Sequence, residues 1–300
     1  MKVGRGLVMI AGLGVVLGIT SCGSEDEVSG GEPTAPREAY VLARKGHHLP
    51  EGTVIVSTDS FQLADAILTL EVEGVKKVGT MSSTHESEMR REILSNQTSR
   101  VTILGDLQRS KRTLGGLPQT DPPTEGALAG RTVTFGREGT AWRGTLEGGE
   151  ASEEQQLEIE ALAAKLGNEE AVAMFGTEPR RVGDEWEIDP SNASILTTGG
   201  EFTGSYLLRF ERVEEYEGLR CAVLEGTIDV SRRTVDRLGG EDSGMRINAR
   251  ASIYRSLDHL ENLKSEIVGN LVMSESPPLG GSRLVRGPLR ISKSVKLTLP

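Results

Sequence analysis

Met245-Arg246-Ile247-Asn248-Ala249-Arg250-Ala251-Ser252-Ile253 decides the fold class. Met245, Ile247, Ala249, Ala251 and Ile253 alternate with Arg246, Asn248, Arg250 and Ser252, the period-two pattern of a strand with one greasy and one wet face. The same alternation recurs on both sides of this stretch. Leu289, Ile291, Val295, Leu297 and Leu299 oppose Arg290, Ser292, Ser294, Lys296 and Thr298. Earlier, Ala64, Ala66, Leu68, Leu70 and Val72 oppose Asp65, Thr69, Glu71 and Glu73, with Gly74 ending the strand. Such strands belong to an antiparallel sheet covered on one side.

Turn signals join them into hairpins. Gly136 to Gly139 separates Arg131–Phe135 from Thr140–Glu147, Glu217-Gly218 separates Phe202–Val213 from Leu219–Val230, and Leu257-Asp258-His259 separates 245–256 from 263–274. About nine to eleven strands are expected in all. Gly115 to Gly130 and Pro277 to Ser282 read as loops. One segment follows a different period. Ser152-Glu153-Glu154-Gln155 is a capping box, Leu157, Ala161, Leu162 and Leu166 recur at helical spacing, and Gly167 can end the helix. Asn168-Glu169-Glu170 restarts a short helix through Phe175, so the helical segment covers about 152–175. The expected fold is mainly β with some α: a large curved antiparallel sheet or half-barrel packed on that segment.

Composition narrows the function classes. The chain has 300 residues, net charge -10, 4% aromatics and two cysteines. An acidic balance argues against general nucleic-acid binding, which needs a basic footprint. Few aromatics argue against a transmembrane barrel with aromatic girdles. Two cysteines exclude a disulfide scaffold.

The N-terminus carries an export address. Lys2 and Arg5 precede an apolar run, Gly6 to Ile19, of about 14 residues, short of the roughly 20 a spanning helix needs but fitting a signal peptide. The run ends in Ile19-Thr20-Ser21-Cys22, which resembles the bacterial lipobox. That resemblance implies that residues 1–21 are a lipoprotein signal peptide and that Cys22 becomes the lipidated first residue. Residues 22–39, rich in Gly, Ser, Pro and acid, read as a flexible tether, and 40–300 as a single β-rich domain. Gly23 after the cysteine resembles outer-membrane sorting, which implies the periplasmic face of the outer membrane in a Gram-negative-type cell. Loss of Lys2 and Arg5 leaves 32 basic groups against 44 acidic ones, a net -12. Cys221, in Leu219-Arg220-Cys221-Ala222-Val223-Leu224, reads as a buried small hydrophobe.

Candidate site residues are few. Val182-Gly183-Asp184-Glu185-Trp186 delivers Trp186 from a Gly-Asp turn into a strand, as a core anchor or a ligand-stacking ring; Trp142 stands in the same position. His47-His48, His85 and His259 lack metal-ligand spacing, so no metal or other cofactor is expected. No catalytic motif is present: there is no G-x-S-x-G elbow, Walker A loop or dinucleotide fingerprint. Charge is uneven. Glu150 to Asp189 holds 12 acids against Lys165, Arg180 and Arg181, residues 88–112 hold six basic residues against three acids, and 283–300 holds Arg283, Arg286, Arg290, Lys293 and Lys296 with no acid. Such runs either neutralise one another in the fold or turn a basic sheet face to anionic lipid headgroups.

The lipobox, the β-rich body, the mid-chain helix, the Val182–Trp186 element and the Ser256-Leu257-Asp258 turn together resemble bacterial envelope lipoproteins of unknown function. The architecture is similar to the lipoprotein-carrier fold, a curved antiparallel half-barrel closed by helices around a hydrophobic cavity, over about 40–300. This resemblance carries over no catalytic residue. The expected function is a lipid-anchored, non-enzymatic binding or scaffolding module of the cell envelope that holds an apolar ligand between sheet and helix, its partners being the membrane and that ligand or an envelope protein. The alternatives are an envelope protein–protein interaction module and a hydrolase with an unrecognised carboxylate site.

Overall fold

The alternating segments pair into one sheet, as a computed structural model shows. It describes residues 38–139, 141–167, 170–192, 202–235, 242–276 and 281–300. The segment expected to be a signal peptide, Cys22, the expected tether through residue 37, most of the 277–282 stretch and the Asn168-Glu169 helix restart lie outside these residues.

In chain order the strands are β1 (Ala39–Tyr40), β2 (Val54–Val72), β3 (Val75–Ser95), β4 (Thr98–Leu114), β5 (Leu117–Thr120), β6 (Thr124–Glu125), β7 (Thr132–Glu138) and β8 (Ala141–Leu146). Helices α1 (Glu153–Gly167) and α2 (Glu170–Phe175) follow. Next come β9 (Arg180–Arg181), β10 (Glu185–Ile188), a 3₁₀ turn at Pro190–Asn192, β11 (Phe202–Tyr216), β12 (Leu219–Val235), β13 (Asp242–Ser256), β14 (Asn262–Ser276) and β15 (Ser282–Thr298). The main sheet runs β10-β11-β12-β13-β14-β15-β2-β3-β4-β7-β8, antiparallel throughout, with β5 and β6 added on β4; β1 pairs with β9. The sheet is large and curved and does not close, its two edges being the short strands β10 and β8. The last strand, β15, pairs with the first long strand, β2, so the beginning and end of the domain meet in mid-sheet.

Three tight hairpins share one chemistry. Glu73-Gly74, Gly115-Gly116 and Glu217-Gly218 each carry positive φ at both residues, and they join Val72 to Val75, Leu114 to Leu117 and Tyr216 to Leu219 as facing pairs. This is the two-residue turn whose twist matches that of the strands. The 217–218 turn and the β13–β14 turn stand where the sequence places them. The 115–130 stretch is not simply a loop: β5 and β6 return along β4 there, in segments too short for alternation to reveal. Likewise β7 runs on through Gly136 to Glu138, facing Ala141, so the turn comes later than expected.

Strict alternation also fails once in β2. Leu63 faces Ser83 and Ala66 faces Met81, so β2 carries one extra residue against β3; the gap in its pairing with β15, between Leu63–Leu289 and Ile67–Arg286, is the same bulge seen from the other side. Asp65 sits there at φ 46°, an unfavourable conformation for a side-chain-bearing residue. Its amide donates to Ser82 Oγ at 3.0 Å and its carboxylate accepts from the same hydroxyl at 3.3 Å. Ala64 is therefore exposed, and the buried face passes from Leu63 to Ala66 and Leu68. Pro288, which has no N–H for a ladder, lies opposite this interruption.

The α1 capping box forms as read: Gln155 N donates to Ser152 Oγ at 3.2 Å and Ser152 N to Gln155 Oε1 at 3.0 Å. Its buried stripe is rotated from the expected one. Ile159 and Ala163 are buried and Leu162 and Leu166 partly so, whereas Leu157 is 63% exposed. The reason is a hole in the sheet: at Gly144 of β8 a Cβ would fall 2.5 Å from Ile159 Cγ2 and 2.6 Å from Phe135 Cε1, so Ile159 is the residue that fits. Glu158 fixes the helix from its flank, accepting the amides of Ala127 (2.8 Å) and Leu128 (3.0 Å).

Candidate ligand-binding face

Register divides each strand's side chains between two faces. The inner face carries Leu289, Val285, Leu63, Ala66, Leu68, Ile247, Ile267, Leu224 and their neighbours. Over β11–β15 and β2 it is covered. Leu42 and Ala43 of the chain entering the domain, Met174 and Phe175 of α2, and Ile188 of β10 join it in one buried cluster.

This cover is held by directed contacts as well as by apolar burial. Arg255, 2% exposed, donates from Nε to the Leu42 carbonyl at 2.5 Å and from Nη1 to Asn262 Oδ1 at 2.8 Å. Its guanidinium lies 4.4 Å from the centre of the Phe175 ring. Burial brings its pKa down to about 10, opposed by Glu261 and Glu170, so it is still a cation at neutral pH. His47 Nε2 lies 2.8 Å from the His259 carbonyl and ties the same entering segment to the β13–β14 turn.

Trp186 belongs to this cover. Gly183, at φ 96°, and Asp184 make the turn, with the Asp184 carboxylate accepting the Arg181 amide at 2.7 Å. The indole N–H donates to the Met174 carbonyl at 2.8 Å, pinning α2 to β10, and Arg180 stacks 4.6 Å above the ring. Trp142 is part-buried against a separate apolar cluster that holds Phe135 of β7 and Ile159 of α1. The geometry thus gives Trp186 an anchoring position, and nothing brings the two indoles together. Cys221 is fully buried in β12, and burial pushes its thiol up to about 11, the condition of an inert core cysteine.

Beyond the cover, at the distal halves of β2–β5, the inner face carries apolar side chains that no other described element covers, with Lys77 and Arg283 facing Leu70 and Arg112 facing Met81 among them. Alternation from Ala66 and Leu68 places Leu70 and Val72 on it, and facing pairs add Val75, Leu114 and Leu117. Val72, Val75 and Leu117 are 59%, 60% and 71% exposed. Leu70, Met81, Leu114, Met245 and Met273 are half-buried where this surface meets the covered cluster. Thioethers there give a surface that can adapt its shape. A polar row crosses the same face nearer its other end: Lys293, Asp59, Ser87 and Asp106 face one another across β15, β2, β3 and β4. Asp106 pairs with His85 at 2.5 Å and Asp59 with Lys293 at 3.7 Å. The carboxylates with displaced pKa values, Glu147 and Glu214, lie elsewhere; each is held low by its own arginine, Arg100 and Arg212.

The sequence did not single out Arg255 or the methionine border. Met245 and Met273 lie in apolar–polar alternations, but their convergence with Met81 and Leu114 needs the pairing of β15 with β2, a contact between residues more than 200 apart. The basic runs find their acidic partners outside the 150–189 run. Arg90, Arg100, Arg109 and Arg112 pair with Glu92, Glu147, Glu86 and Asp121. The C-terminal run does not form one basic face. Alternation in β15 sends Arg283 and Lys293 inward and Arg286, Arg290 and Lys296 outward.

No family model matches the chain, and no curated protein matches it significantly in sequence. Among solved structures it is similar to lipovitellin, in a structure concerned with lipid–protein interactions, at 12% identity and TM-score 0.37; the match covers 84% of this chain and 26% of that one. The chain thus spans about a quarter of the lipovitellin chain. It is also similar to an outer membrane channel from Pseudomonas putida F1, at 8% identity and TM-score 0.27, over 85% of this chain and 98% of that one. At these TM-scores neither structure bears on what this chain does.

Proposed function

We propose that this is an exported, lipid-anchored envelope protein whose β domain is a non-enzymatic binding module, holding an apolar ligand on the uncovered end of its inner face. The supporting observation is the row of apolar side chains Leu70, Val72, Val75, Met81, Leu114 and Leu117, continuous with the core, exposed at its end among the described residues and bordered by Lys77, Arg112 and Arg283, which suit the head group of an amphipathic ligand. Burying about 100 Å² of it under an acyl chain is worth about 2.5 kcal/mol. The position differs from a ligand held between sheet and helix α1, because Ile159 fills that contact at Gly144. Anchoring rests on the Ile19-Thr20-Ser21-Cys22 signal.

Gentle purification followed by solvent extraction and lipid mass spectrometry tests the module. A recurrent apolar species at near-stoichiometric yield is expected; protein that is always ligand-free rejects the reading. For the anchor, Cys22→Ala abolishes incorporation of labelled palmitate; membrane attachment and labelling that persist unchanged contradict it.

A further inference from the structure

The outer face of β13–β15 carries a pattern that the ligand reading does not use. Register sets Arg250, Val268 and Arg290 side by side in one row across the three strands. Four residues further along each strand a second row repeats it as Arg246, Val272 and Arg286, continued on β2 by Ile67. Between the rows lie Asn248, Asn270 and Pro288, which carry no charge. All four arginines are exposed, and so are Val268, Val272 and Ile67, whereas their alternates Ile247, Ala249, Ile267, Leu271 and Leu289 are buried. Strand spacing makes the four-arginine rectangle about 10 Å by about 13 Å.

Two acids border it: Asp229 pairs with Arg246 at 3.1 Å and Glu266 with Arg290. Arg250 and Arg286 have no acidic partner among the described residues. The patch is therefore a local positive surplus on a chain of net charge -10. Arginine fits phosphate oxygens by geometry and charge, and branched aliphatic side chains between the arginines gain nothing from a hydrated polyanion but do gain from the interfacial layer of a bilayer.

We infer that this face docks on an anionic bilayer surface, its guanidinium groups on lipid phosphates and Val268, Val272 and Ile67 at the acyl boundary. The whole chain, bound to phosphatidylcholine vesicles with and without phosphatidylglycerol, tests this. Because any N-terminal anchor is common to all variants, differences between them report the patch. Unaltered protein is expected to bind anionic vesicles better than neutral ones, and salt should weaken the preference. Arg250→Glu with Arg286→Glu should reduce anionic-vesicle affinity at least about tenfold, while Lys45→Glu, an exposed reversal outside the sheet, leaves it unchanged. Val268→Asn with Val272→Asn keeps every charge and should still lower affinity several-fold. Equal binding to both vesicles, or indifference to the arginine reversals in protein that melts normally, overturns the inference. So does binding of heparin through these arginines without vesicle binding, which would make the patch a site for a soluble polyanion.

Discussion

The covered and uncovered parts of the inner face belong to one sheet, meet at β2, and are finished by opposite means. Over β11–β15 and β2, side chains from the entering segment, α2 and β10 close the apolar surface, and Arg255 spends its donors on Leu42 and Asn262 to fasten them. At the distal ends of β2–β5 the strands carry the same face outward with nothing from those elements over it, and Val72, Val75 and Leu117 stay exposed. Stability is thus concentrated in one region, which frees the other to keep apolar surface accessible. A protein under selection for stability alone gains nothing from leaving those three side chains in water.

Substitutions can break this contrast. Phe175→Ala should cost about 3–5 kcal/mol, read as a lowered urea midpoint; a loss under about 1 kcal/mol would show that the cover is not what holds the sheet. Arg255→Leu strips the donors from a buried carbonyl and an amide and should cost about 1–3 kcal/mol. If Arg255→Leu were stabilising, the fastening role would be wrong. The thiol of Cys221 sharpens the contrast through pH. Its folded pKa, about 11, lies above the ordinary 9.0 because burial disfavours the thiolate, so the folded state holds this proton more tightly than the unfolded one. Its contribution is fully present below about pH 9 and is lost as pH rises toward 11. Cys221→Ala should therefore lose less stability than the unaltered protein between pH 8 and pH 10.5, in matched urea titrations, and identical losses would place the thiol in water. The smallest stability effect belongs to the uncovered end, where Val75→Ser with Leu117→Ser should stay within about 0.5 kcal/mol per site yet reduce the co-purifying ligand. A large destabilisation there would mean the end is core rather than site.

How far the sequence discloses these regions follows from local chemistry. β13 and the end of β15 are legible because one face of each is wet and the other greasy. β3 is less so, because its inner face carries Ser83, His85 and Ser87, which blur the alternation. The bulge at Asp65 is invisible, since Ala64 and Ala66 both suit an apolar face and only pairing decides between them. The capping box fixes where α1 starts, but its buried stripe depends on the hole at Gly144, a feature of β8 rather than of the helix. The basic run 283–300 reads as one cluster along the chain, and strand alternation splits it between two faces. The candidate ligand surface is assembled from four successive strands, β2–β5, within residues 70–117, and the sequence hides it because its apolar residues are spaced singly among Lys77, Arg112 and other polar residues and meet only through strand pairing.

The most direct test of the central claim is photo-cross-linking of the purified protein with a diazirine-bearing fatty acid in detergent-free buffer, with adducts mapped by peptide mass spectrometry. Within the β domain, adducts should concentrate between Leu70 and Met81 and between Leu114 and Leu117, and Met81→Glu with Leu114→Glu should remove them while the fold persists. Adducts scattered over the domain, or an adduct pattern that the Met81→Glu and Leu114→Glu pair leaves unchanged, would contradict an apolar ligand site at the uncovered end.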